Sequence, residues 1–137
     1  MVSDHAKLDQ LWADFMAETS DAKNAARLFE EFHDHIVKHM DLEDNMLFPL
    51  FDKHTGLEGD VGPTVLVRRD HANILKLMEK VRKIIAQMDI KKIQYAGEHL
   101  QRALAAHRER ENQMQYPVLD SLVKDAKWFE VLKRIYE

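Results

Sequence analysis

The sequence has no cysteine among its 137 residues, so disulfides, iron-sulfur clusters and thiolate chemistry carried by this chain are excluded. Any metal it holds must sit on nitrogen and oxygen donors. Chain breakers are also scarce, with 4 glycines and 3 prolines. Gly56, Gly59 and Gly62 fall beside Asp60 and Pro63, so residues 55–62 read as the one long loop. No apolar run approaches the roughly 20 residues of a membrane span. The start, Met-Val-Ser-Asp-His, lacks the basic and apolar regions of a signal peptide, and a cytoplasmic location is expected. Lys and Arg total 20 against 24 Asp and Glu, for a net charge of -4, and no basic cluster builds a face for a phosphate backbone, so neither nucleic acid nor membrane is an expected partner.

What is present suits one solvated helical domain over residues 1–137, with 45% apolar and 32% charged side chains. Leu8, Leu11, Trp12, Phe15 and Met16 recur at three- and four-residue spacing and predict a helix over about 3–19, capped by Ser3. Ala25, Leu28, Phe29, Phe32, Ile36, Met40, Leu47 and Leu50 predict a second over about 22–53, with a bend or early end at Pro49. Pro63 suits the first turn of a third over about 63–88, carried by Val67, Ile74, Leu75, Met78, Val81 and Ile85. Asp89 caps a fourth over about 90–123, and Trp128, Phe129, Leu132 and Ile135 make a short amphipathic helix over about 126–136. Short connections at 20–21 and 88–89 force antiparallel neighbours. The expected fold is therefore an all-α, up-down-up-down four-helix bundle.

The chain repeats itself. Asp4-His5-Ala6 with Leu8 and Leu11 returns as Asp70-His71-Ala72 with Ile74 and Leu77. His39, Glu43, Met46, Phe48, Pro49 and Asp52 return as His107, Glu111, Met114, Tyr116, Pro117 and Asp120 at the same spacings, so the first helical hairpin recurs as the second. The retained residues include polar ones that a core does not want. His and Glu four apart lie on one helix face, and that face also carries Phe32 and Ile36, or Leu100 and Leu104. Burying two carboxylates and four imidazoles uncompensated would cost several kcal/mol each, and a pair of metal ions offsets that charge. Each lone histidine is about as far before its connecting turn as the paired histidine is after it, so all six residues fall at one level of the bundle.

At these positions the sequence resembles the hemerythrin-like (HHE cation-binding) family, whose pattern is a lone His, His-x-x-x-Glu, a second lone His and His-x-x-x-Glu on four successive helices. The likeness covers about residues 3–123 and extends to Phe48-Pro49 and Tyr116-Pro117. It implies a metal centre of His5, His39, Glu43, His71, His107 and Glu111 holding two Fe ions with an oxo or hydroxo bridge. One iron would take His5 and His39 and the other His71 and His107, with Glu43 and Glu111 bridging. Oxygen-carrying members have a further His four residues beyond the one on the third helix, where Leu75 stands here. By this resemblance each iron would keep an open position for O2, NO or peroxide.

The expected function is thus a non-haem di-iron protein that binds a small ligand for sensing, storage or detoxification. The alternatives are a di-iron enzyme of peroxide-decomposing or iron-sulfur repair type and a bundle with purely structural metal. The repair reading lacks the Cys-containing segment of those proteins. Zinc and manganese suit the same donor types. A ferritin-like site is a poorer match, because that fold uses Glu-x-x-His. His35, one turn before His39, reads as a neighbour of the site or as solvated, His99 as a bundle-end residue, and His33 and His54 as surface. Tyr116 reads chiefly as packing, and Met46 and Met114 read as pocket walls. The remaining charges read as solvated helix faces, and monomer and homodimer are both compatible.

Overall fold

Four apolar helix stripes must find one another's surfaces to leave water, and the order of turns decides how they meet. In a computed structural model of the chain, which describes residues 2–55 and 63–122, they do so as antiparallel rods. Helix α1 spans Val2–Ala17 and α2 spans Ala22–Leu42. A π-helical turn over Glu43–Leu47 joins α2 to α3, Phe48–Thr55, and α4 and α5 span Pro63–Ala86 and Ile90–Leu122. No strand occurs among the described residues. No described helix is long and apolar enough to cross a membrane. The predicted helix over 126–136 and the loop over 56–62 lie outside the described residues, as do the side chains of Ser3, His54, Met114 and Tyr116.

Local chemistry sets the turns. Asp21 accepts from the Asn24 amide at 3.2 Å and starts α2, and Asp89 accepts from the Lys92 amide at 3.2 Å and starts α5. Between Ala86 and Asp89, Met88 takes the left-handed conformation at φ 59, closing α4 with amide bonds from Gln87 to Ile84 and from Met88 to Ile85. Pro49 does not end its helix. Its ring would clash with the carbonyl four residues back, and the chain widens instead, so that the Phe48 amide bonds to the Glu43 carbonyl five residues earlier. Pro117 lies within continuous α5.

The core fills the end of the bundle nearer the two short turns, with Phe15, Phe29, Met78, Ile93 and Leu100 fully buried. Here α1 and α5 come close because residue 97 is glycine: a Cβ on it would lie 2.8 Å from Met16 Sδ. Towards the opposite end the interior turns polar.

Candidate metal centre

Six polar residues close the core at that end. His39, Glu43, His71, His107 and Glu111 are buried, and His5 on the first turns of α1 keeps 13% of its side chain exposed. Their donor atoms form two groups within 4.8 Å, Glu43 with His71, His107 and Glu111, and His5 with His39 and Glu111. Glu111 belongs to both. Its Oε1 lies 2.7 Å from His107 Nε2 and 3.5 Å from His71 Nε2, while its Oε2 lies 3.7 Å from His5 Nε2. Glu43 spans them as well, with Oε1 2.9 Å from His39 Nε2 and 3.7 Å from His71 Nε2. The structure thus brings together all six residues that the repeat singles out.

The histidine rings are aimed. His71 Nδ1 is 2.8 Å from Asp44 Oδ1, and His107 Nδ1 is 3.3 Å from Asp70 Oδ2, so both rings turn Nε2 inward. A carboxylate on one ring nitrogen fixes the tautomer and leaves the other nitrogen with its lone pair free for a cation. Asp70 is itself gripped by Arg110 through two bonds of 2.6 Å. Asp44 reads as solvated in the sequence, although it follows a candidate glutamate; Asp70 is kept with Asp4 in the repeat and precedes a candidate histidine, which is the signal that marks it. The π turn gives adjacent Glu43 and Asp44 separate tasks, one beside His39 and one on His71.

Beneath His71 lies a second layer. The Phe48 ring stacks on it at 5.7 Å between centroids, and the Arg68 guanidinium sits 5.7 Å from the other ring centroid of that stack, Phe48. Buried Asp52 accepts from Thr64 Oγ1 at 2.6 Å and pairs with Arg68 at 3.2 Å, tying α3 to the start of α4. His35 is half-buried and belongs to neither donor group, and His99 is exposed. His33, expected at the surface, is instead half-buried, 6.3 Å from the Phe29 ring. Leu75, counted in the apolar stripe of the third helix, is instead 40% exposed on the flank of α4, since the position after buried Ile74 turns off the inward face.

The electrostatics ask for positive charge. Burial, and then the neighbouring Glu111, push the Glu43 carboxyl up to about 7. Burial also opposes ionisation of Glu111, but bonds from His107 and His71 overcome it and hold that carboxyl well below the usual range. His71 is pushed up to about 9, since Asp44, Glu111 and Glu43 outweigh the burial that would lower it. Without a metal the protein must use protons to balance these groups. The donor geometry suits a cation: His71 Nε2 and His107 Nε2 are 3.1 Å apart. Two nitrogens bound at about 2.1 Å and near right angles on one ion stand about 3.0 Å apart.

Comparison with known families agrees with this arrangement. The family model described as "Hemerythrin HHE cation binding domain" matches residues 1–119 and matches again over residues 62–135. The second hairpin is therefore matched twice, as expected of a chain in which it repeats the first. No curated protein and no solved structure matches the chain.

Proposed function

The chain belongs to the hemerythrin HHE cation-binding domain family, and from that membership we propose that it is a non-haem di-iron protein that binds O2, NO or peroxide for sensing, storage or detoxification. Two iron ions, one on His5 and His39 and the other on His71 and His107 with Glu43 and Glu111 spanning both, would supply open coordination positions and redox chemistry for such a ligand. The observation that carries the reading is Glu111, whose two oxygens face different histidine groups. A single-ion site has no use for a buried carboxylate divided in that way.

The protein's own part is positional. Asp44 and Asp70 hold His71 and His107 in the tautomer that presents Nε2. The fully buried Phe48 and Ile74 keep bulk water from the His71 side. Asp70, held below the usual carboxylate range because its bonds to Arg110 and His107 outweigh its burial, stays an anion beside His107.

The test is spectroscopic. The chain is loaded with ferrous iron without oxygen, and its visible spectrum is recorded before and after air, nitric oxide and peroxide in separate samples. A new band that one of these raises and a reductant bleaches supports the reading and names the ligand; loaded protein whose spectrum none of the three changes contradicts it. Steady consumption of peroxide would move the assignment to an enzyme.

A further inference from the structure

The repeat makes the two hairpins alike, but the two donor groups differ in how firmly they are held. Glu43 keeps 1% of its side chain exposed and His71 2%, and the Phe48 ring lies against His71. His71 and His107 are each fixed through Nδ1 by an aspartate, so an ion on their Nε2 atoms leaves only if buried, bonded rings turn. His5 is placed otherwise. It stands in the first turn of α1 with 13% of its side chain exposed, and a helix end opens at less cost than a helix middle. Glu111 gives each group its own oxygen, Oε1 towards His71 and His107 and Oε2 towards His5. One ion can therefore go without stripping the other of that donor.

The seams between helices differ in the same sense. α2 and α4 pack together, whereas α1 and α5, close at Gly97, leave a half-open groove of about 500 Å³ between them. His5, His39, His107 and Glu111 line it, and Glu43 and His71 do not. An ion with six waters fills roughly 200 Å³ at about 30 Å³ per water, so the groove has room for one. Its exposed lining includes Asp9, Gln101 and Glu109, whose oxygens suit a hydrated cation. Arg108 works against such traffic. It pairs with Asp9 at 2.5 Å, strapping α5 to α1 across the groove and setting a positive charge there.

We propose that the two ions exchange separately: the one on His5 and His39 passes between the site and solvent through the groove, past the Asp9–Arg108 pair, while the one on His71 and His107 is retained. The inference rests on the two-ion reading. It gives Arg108 a role that the donor set does not contain, that of a strap governing how fast iron enters and leaves.

The test is the release of iron. The full chain is loaded with ferrous iron without oxygen, freed of excess and mixed with ferrozine, whose colour counts the ions that leave. Two ions per chain are expected in two phases of equal size, the first faster by at least about tenfold. His5→Ala should lose the fast phase and keep the slow one. Arg108→Ala should speed the fast phase about two- to fivefold, with Arg108→Lys nearer the unaltered protein. Leu104→Trp, which fills the groove, should slow it, as should Ala105→Leu if the first variant melts early. Two ions leaving in a single phase, a fast phase kept in His5→Ala, or a fast phase unmoved by both Arg108→Ala and groove filling overturns the proposal and leaves the two-ion reading standing. One ion per chain overturns that reading, and the proposal with it.

Discussion

Asp44 Oδ1 lies 2.8 Å from His71 Nδ1, a bond between residues 27 apart in sequence that the widened turn before Pro49 makes possible. Asp44→Ala should leave the helices intact but release the His71 ring. Metal affinity, followed by competition with a chelator, is expected to fall about 10- to 100-fold. Asp44→Asn, which still accepts from Nδ1–H, should recover part of it. Unchanged affinity in Asp44→Ala would mean that the bond does not position the ring.

Metal-free protein should lose stability as pH rises. His71 is raised from 6.5 to about 9, so its contribution is complete below 6.5 and disappears as pH passes about 9. Glu43 is raised from 4.5 to about 7, so the fold favours its neutral form and that contribution fades between those values. Glu111 and Asp70 are shifted down, and what they contribute is lost only in acid. Thermal melts between pH 5 and 9 should therefore slope downward, by several kcal/mol in total. Iron-loaded protein should slope the other way, because ligands must shed protons to bind. Parallel slopes would contradict the site.

Asp52→Ala tests the layer beneath the site. It leaves fully buried Thr64 Oγ1 without its acceptor and Arg68 without its anion, at a cost of about 1–3 kcal/mol in denaturant unfolding. Because Arg68 and Phe48 back the His71 ring, metal affinity should weaken as well, by less than in Asp44→Ala.

Met88 carries the one positive φ outside glycine among the described residues and is exposed. Met88→Gly removes the Cβ strain and should stabilise the protein by about 0.5–1 kcal/mol, read as a raised melting temperature with metal content unchanged. No gain would mean that the turn is held by more than its backbone.

The helices of the described residues and the gathering of the six polar residues were legible because both rest on periodicity. A 3.6-residue stripe marks each buried face, and duplication marks the polar residues kept on it. What hid from the sequence depends on relations across helices. Asp44 looks like an ordinary surface charge until α4 is packed against its neighbours, and Asp70 and Asp52, though kept in the repeat as Asp4 and Asp120, show what they hold only when His107 and Arg110, or Thr64 and Arg68, stand beside them. Pro49 announces a disturbance, but periodicity does not say whether the chain stops, kinks or widens by a residue.

The central claim is a two-ion site shared through Glu111, and metal per chain in matched variants tests it most directly. The protein loaded with iron and freed of excess should hold two ions per chain, His5→Ala about one, and Glu111→Ala few of either, because both groups lose a donor together. One ion per chain in the unaltered protein, or two ions retained in Glu111→Ala, would contradict the account.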